Sequence, residues 1–245
     1  MAVDPSLPVT GVLLIDKPVG PTSFRVVQQV RRALSIKKVG HAGTLDPLAS
    51  GLLVVCVSRG ATKHIDKIMV GDKEYIGVLC LGKETTTLDA EGDVTATCST
   101  AGIDAETIRT CLEGFCGEQS QIPPQYSAVK HKGKPLYHYA RKGEVIKKDP
   151  RTIFIHELEM TAREGDLVTI RVVCSKGTYI RTLADDIGRR LGCGAYLYGL
   201  RRTRSGSLSV DDAIDGSLLE DSGPAKDILL AGIRCIGDVV EGSEG

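Results

Sequence analysis

The sequence predicts an α+β protein: a mixed, largely antiparallel central sheet flanked by helices and carrying a basic insertion. Three observations predict it. Apolar strand-like runs and amphipathic helical stretches both occur, but without the strict βαβ alternation of a doubly wound parallel sheet. No internal repeat or low-complexity tract interrupts them. The 245 residues are 42% hydrophobic and 25% charged, which is globular composition with ample core material.

The elements follow in order. Val12 to Ile15 reads as a short buried strand, stopped by Lys17-Pro18-Val19-Gly20-Pro21. Thr22 or Ser23 can cap a helix whose Val26, Val27, Val30 and Leu34 recur at helical spacing. Residues 38–51, glycine-rich and holding one Asp-Pro, read as a loop. A strand at Leu52 to Val57, a helix at Thr62 to Met69 and a strand at Tyr75 to Leu81 come next. Residues 82–93 look like turns, 94–98 a strand, and Asp104 caps a helix ending near Glu113. Residues 121–150 form an excursion, opened by Ile122-Pro123-Pro124 and rich in lysine and tyrosine. Strands at 152–158 and 167–174, a helix from Tyr179 to Leu191 and a strand at Ala195 to Leu200 complete the pattern, and one or two short helices fit the last forty residues.

Charge and cysteine usage narrow the function. With 31 Lys+Arg against 31 Asp+Glu, the chain is neither a uniformly basic coat nor an acidic disordered tail. The balance is uneven along the chain: residues 1–64 carry net +5, 65–124 net −7, 125–151 net +6, 152–175 net −2, 176–204 net +5 and 205–245 net −7. Basic blocks of this size suit a polyanion if folding gathers them, and equally suit solvated faces balanced by acidic neighbours. Eight cysteines without a Cys-x-x-Cys, most of them inside apolar runs, read as buried reduced thiols; no disulfide and no metal site is expected. Apolar stretches are too short to cross a bilayer and no signal segment is visible, so a cytoplasmic protein without membrane partners is expected.

The densest chemical signal is Lys38-Val-Gly-His41-Ala-Gly-Thr-Leu-Asp46-Pro-Leu-Ala-Ser-Gly51, which presents one imidazole and one carboxylate just before a strand. Taken alone, Asp46 before proline fits a turn as well as a catalytic role. The segment resembles the aspartate loop of the TruB-type tRNA pseudouridine synthase family, and further blocks resemble that family in order. These are Gly11-Val-Leu-Leu-Ile-Asp-Lys17-Pro18-Val-Gly20-Pro-Thr-Ser23, Ala61-Thr-Lys63, Lys73-Glu-Tyr75, Gln121-Ile-Pro-Pro-Gln-Tyr126-Ser-Ala-Val-Lys130, Gly133-Lys-Pro-Leu-Tyr137-His-Tyr-Ala-Arg141-Lys-Gly143, Cys174-Ser-Lys-Gly-Thr-Tyr179-Ile-Arg181-Thr-Leu and Leu191-Gly-Cys-Gly-Ala195 with Leu200-Arg201-Arg202. They cover about residues 11–204.

The resemblance implies a pseudouridine synthase-like catalytic fold over residues 1–204, with an RNA-gripping insertion at 121–150. The sequence departs from the family pattern at 205–245, a short acidic extension where bacterial members usually carry a PUA domain, so a compact form is expected. The resemblance also implies isomerisation of the uridine numbered 55 in the T-arm loop of tRNA, by a monomer and without cofactor. The isomerisation changes neither composition nor redox state, but it needs an ionised carboxylate beside the flipped nucleoside. Asp46 is assigned that task, by attack or by deprotonation, with Arg181 keeping the carboxylate ionised and Tyr75 stacked on the base near its C5. Tyr179 and Leu200 would line the pocket, and His41 would fill the space the base leaves. Lys17 and Pro18 would brace the aspartate loop. Lys130, Lys132, Lys134, Arg141 and Lys142 would contact phosphates. Read without the resemblance, Arg181 is a residue on an amphipathic helix, and Tyr75 and Tyr179 are half-buried aromatics. Three rival readings are a non-catalytic tRNA-binding or folding protein, a guide-RNA-dependent relative working in a ribonucleoprotein, and an aspartate-nucleophile hydrolase. The last lacks the acidic companions a magnesium site requires.

Overall fold

The computed structural model describes residues 9–127, 130–140, 142–144, 146–220 and 225–241. In chain order the elements are β1 (Gly11–Lys17), α1 (Ser23–Leu34), β2 (Val39–Ala42), β3 (Ala49–Val57), α2 (Ser58–Thr62), α3 (Ile65–Ile68), β4 (Lys73–Leu81), β5 (Lys83–Thr85), β6 (Val94–Thr97), α4 (Ala105–Glu113), β7 (Gly117–Gln121), β8 (Lys130–His131), β9 (Lys134–Pro135), α5 (Leu136–Ala140), β10 (Arg151–Glu164), β11 (Leu167–Cys174), α6 (Ile180–Leu191), β12 (Ala195–Ser205), β13 (Leu208–Ser209), β14 (Ile214–Asp215), α7 (Ala225–Ala231) and α8 (Ile236–Glu241). They form two compact units. Residues up to Lys73 and from Arg201 onward make the first, and Glu74–Leu200 the second.

In the first unit the strands run β14-β1-β3, followed by residues 201–205 of β12, with β2 on β3 and β13 on β12. The β1–β3 pair is antiparallel, from Gly11 opposite Val57 to Lys17 opposite Gly51. The β1–β14 pair is parallel, which makes the sheet mixed. Both β1 and β3 are near-continuous apolar runs, because Val12 to Ile15 and Leu52 to Val57 are buried on both faces of the sheet. One face packs Val12, Leu14, Leu52, Val54 and Cys56 with Ala61, Ile68, Leu208 and Val239. Helix α1 is capped by Thr22, whose hydroxyl accepts from Arg25 N–H at 3.1 Å, and buries Val26, Val27, Val30 and Leu34.

In the second unit the strands run from residues 195–200 of β12 through β4-β11-β10 to β7. Strands β10 and β11 pair antiparallel, as do β10 and β7. Helix α6 approaches β12 closely at Gly188, where a Cβ would run into the backbone of Gly194 and Ala195. The helix ends on Gly192 in the left-handed region, at φ +77.

The structure departs from the sequence expectation at several elements. Residues 38–51 are not one loop: Val39–Ala42 is a strand on β3, and β3 itself starts at Ala49. The predicted single helix at 62–69 is two short ones that start at Ser58. Strand β7, unmarked by apolar residues, is recruited by pairing with β10. All eight cysteines are free thiols; five are buried, and Cys98, Cys116 and Cys235 are exposed. Burial pushes the Cys56 thiol up to about 12. Among the described residues no helix is long and apolar enough to cross a membrane, and no cluster of His, Cys, Asp and Glu has the makings of a metal site.

Candidate active site

The first unit presents Asp46 on a loop, residues 43–48, that connects β2 to β3 and is tied down from three sides. Ser23 Oγ donates to Leu45 O and accepts from Leu45 N–H, both at 2.8 Å, and Ser23 is buried. Gly20 N–H donates to Pro47 O at 2.8 Å, and Ala49 N–H closes a turn on Asp46 O at 3.1 Å. The third tie is Arg202, 2% exposed, whose Nε donates to Leu52 O at 2.7 Å and whose Nη2 donates to Gly43 O at 3.2 Å. Beneath this loop the Lys17-Pro18-Val19-Gly20-Pro21 turn is held from inside, since Lys17 is fully buried and donates to Pro18 O and Pro21 O at 2.8 Å each. Burying an ammonium is costly unless hydrogen bonds replace its hydration, and these charge-assisted bonds tie the turn together. Gly51 adopts φ +100, and a Cβ there would overlap the Arg202 backbone, so this junction of β3 and β12 requires glycine. The carboxylate itself is half-buried.

His41 lies on β2 opposite Val55, half-buried, with its Nδ1 buried and unpartnered among the described residues. Burial, and then the nearby Arg202 guanidinium, hold its pKa below the usual 6.5, against a smaller opposing effect of the Gly43 backbone. The ring is therefore neutral near pH 7. The same shift fixes a pH dependence. As pH falls below 6.5 the unfolded chain takes up a proton that the folded chain resists, so acidification removes stability. Urea unfolding of wild type and His41→Gln at about pH 8 and about pH 5 checks this. The stability advantage of wild type over the variant should shrink on going to the acid condition.

The second unit presents Arg181 on the first turn of α6, 5% exposed and held in a cage of oxygens. Its Nη1 lies 3.3 Å from Asp89 Oδ2 and 3.4 Å from Thr87 O, and its Nη2 donates to Tyr126 O at 2.7 Å. Asp89, 2% exposed, is the buried partner of Arg181 and reads in the sequence only as part of a turn. Its Oδ1 accepts from Thr87 Oγ1 and from Glu91 N–H, its own carbonyl accepts from Thr85 Oγ1 at 2.7 Å, and the 88–90 segment is bonded to Leu197 of β12 on both sides. Gln121 opens one of the family-resembling blocks of the sequence, but its role is not legible there. It is buried and clamps the helix start, accepting from Tyr179 N–H at 2.8 Å and donating to Tyr179 O at 3.1 Å. Among the predicted residues of this unit, Tyr75 is buried on β4, while Tyr179, as the α6 N-cap, and Leu200 on β12 are half-buried. Residues 86–88, 122–126, Thr182, Asp185, Asp186 and Arg189 enclose a hollow of about 380 Å³, whose walls include Thr87 and Tyr126, two of the backbone partners of Arg181.

The insertion is ordered at its root, where Gln125 exchanges two hydrogen bonds with the Ile146 backbone at 3.0 and 3.1 Å. Within it, β8 and β9 form a hairpin whose two turn residues, Lys132 and Gly133, both have positive φ, the geometry of a type I′ turn. Lys132 and Lys134 are exposed on it, Lys130 belongs to β8, and Tyr139 of α5 donates to His131 O at 3.1 Å. Lys142 is exposed beyond α5; Arg141 lies outside the described residues.

The first unit thus presents a carboxylate on a braced loop, and the second an arginine paired with a buried carboxylate. Comparison with known proteins supplies the family. The family description "TruB family pseudouridylate synthase (N terminal domain)" matches residues 31–180, and "tRNA pseudouridylate synthase B C-terminal domain" matches residues 181–227. The chain belongs to the TruB family of pseudouridylate synthases and is thus an enzyme, an isomerase. It is 61% identical over 210 residues to tRNA pseudouridine synthase B of Desulfotalea psychrophila, covering 83% of this chain and 85% of that one. It is 46% identical over 233 residues to the protein of the same name from Bordetella parapertussis, covering 94% and 95%. Among solved structures, the crystal structure of a Cbf5-Nop10-Gar1 complex contains a chain 32% identical, with a TM-score of 0.70. That match covers 95% of this chain and 62% of the other, so this chain spans less than two thirds of that relative.

Proposed function

We propose that the protein converts uridine to pseudouridine in tRNA, at position 55 in the T-arm loop, acting in the cytoplasm as a monomer. The observation that carries this reading is the Asp46 loop, pinned through Leu45, Pro47 and Gly43 by Ser23, Gly20 and Arg202. Such bracing holds a carboxylate where a flipped nucleoside would meet it, and a preset geometry lowers the barrier without any cofactor. Asp46 attacks or deprotonates the nucleoside, the glycosidic bond breaks, and the base turns and rejoins through C5. Arg181 supplies the positive charge that keeps the carboxylate ionised, Tyr75 stacks on the base, and Tyr179 and Leu200 line its pocket. His41 occupies the space the base vacates. Residues 1–204 act as the catalytic domain, and 205–245 form an acidic extension that packs into its first unit. The names of the relatives support tRNA as substrate. The test is release of tritium from a tRNA transcript carrying 5-tritiated uridine, since C5 loses its hydrogen only when C1′ is joined there. Release close to one equivalent per tRNA is expected, and no release refutes the reading.

Within the same reading, Lys130, Lys132, Lys134, Arg141 and Lys142 of the insertion contact phosphates. Each phosphate neutralised by a cation adds roughly 0.7 to 0.9 to the steepness of log K against log salt. Replacing Lys130, Lys132 and Lys134 together by Gln should therefore weaken tRNA binding and reduce the salt slope by about 2. An unchanged slope in a titration against potassium chloride would remove the insertion from the RNA interface.

A further inference from the structure

We propose that the outward face of α1, continued by Lys37 and Lys38, is a second RNA-backbone surface on the unit that carries the aspartate loop, separate from the insertion. The proposal rests on the tRNA reading above and adds a contact surface to it.

Between Asp16 and Asp46 the chain has no carboxylate, yet it carries Lys17, Arg25, Arg31, Arg32, Lys37 and Lys38. Lys17 is consumed inside the fold. Helix α1 turns Val26, Val27, Val30 and Leu34 inward, and that leaves Phe24, Arg25, Gln28 and Arg32 exposed on its opposite side. Arg25, Arg32, Lys37 and Lys38 make no ion pair among the described residues. An exposed amphipathic helix is usually laced with acidic residues at i±3 or i±4, which would relieve such repulsion. Here the first turn has no acidic residue and the last turn holds Arg31 and Arg32.

Two further features separate this surface from a merely solvated one. Arg25, Gln28, Gln29 and Arg32 line a depression of about 330 Å³, completed by Leu219 and one carboxylate, Glu220. Arg25 and Arg32 stand two turns apart, roughly 10 Å along the axis, a span that takes in more than one phosphate of a strand. Beside it, Phe24 is 55% exposed with the Arg31 guanidinium 5.9 Å from its ring centre, and Arg31 is held there by donating to Val39 O at 2.7 Å. A ring left in water amid unpaired cations is the combination that single-stranded or looped nucleic acid uses, with phosphates on the cations and a base on the ring.

The test is the affinity of the whole protein for unmodified tRNA across a potassium chloride series. It compares wild type, R25Q/R32Q, K37Q/K38Q and F24L. Glutamine keeps helix propensity at these exposed sites, and a thermal melt checks the fold. Each charge pair should flatten the log K against log salt slope by about 1 to 2, while F24L should weaken binding several-fold without changing the slope. Wild-type slopes in both charge variants would overturn the phosphate surface, and unchanged affinity in F24L would overturn the stacking role. If the insertion variant flattens the slope while these do not, only this proposal falls. If wild type itself shows no salt-dependent tRNA binding, the functional reading falls with it.

Discussion

Asp46→Asn should abolish tritium release from 5-tritiated tRNA, by about 10³-fold or more, while leaving tRNA binding close to wild type. The amide has nearly the shape of the carboxylate, but it is neither an effective nucleophile nor a base. The loop should keep its form in the variant, because its bracing acts on backbone groups of Gly43, Leu45 and Pro47 and comes from Arg202, Ser23 and Gly20. Single-turnover release, measured alongside filter binding, separates the two effects. Equal release by the two proteins would take Asp46 out of the chemistry, and loss of binding in parallel with release would make it a structural residue.

Arg181→Met should cost both activity and stability, and the stability part is the more diagnostic. Asp89 would be left buried without its cation, and breaking a buried pair from one side costs about 3 kcal/mol or more. Thr87 Oγ1 and Glu91 N–H still satisfy one of its oxygens, which keeps the expected loss near the lower end. Arg181→Lys keeps the charge, but a single ammonium cannot span Asp89, Thr87 O and Tyr126 O as the guanidinium fork does. It should fold better than Arg181→Met and still release little tritium. The double variant Arg181→Met with Asp89→Asn should regain part of the stability and none of the activity. Urea unfolding of the four proteins checks the ordering. If Arg181→Met were as stable as wild type, the buried pair would not be an organising feature of the second unit.

These expectations draw on parts of the molecule that the sequence discloses unequally. Helices α1 and α6 are readable because each has a strong 3.6-residue apolar period and a cap or stop nearby, Thr22 for one and Gly192 for the other. Strands β1 and β3 are readable as short apolar runs. Strand β2 is not, since Gly40 and His41 carry no strand propensity and only the ladder to β3 makes it one. The same holds for β7, Gly-Glu-Gln-Ser-Gln, which exists through its partner β10. Asp46 in the first unit and Tyr75, Gln121, Tyr179 and Arg181 in the second stand in dense local blocks and Asp89 does not, while the partners of Asp89 and Gln121 are 92 and 58 positions away. Nothing local distinguishes Asp89 from Asp93, the other aspartate at 82–93; the one available signal is a hydroxyl-rich run, Thr85 to Thr87, that closes on it. Arg202 reads in the sequence as half of a basic pair at the end of a family-resembling block, and its role is visible only when Gly43 and Leu52 are seen to accept from it.

Mapping the modified nucleotide tests the assignment of activity and position most directly. A uridine-bearing tRNA transcript is incubated with the protein, treated with a carbodiimide that marks pseudouridine, and read by primer extension. A single new stop is expected, reporting position 55 in the T-arm loop and absent with Asp46→Asn. Modification confined to another arm of the tRNA, or the same stop with Asp46→Asn, would contradict it.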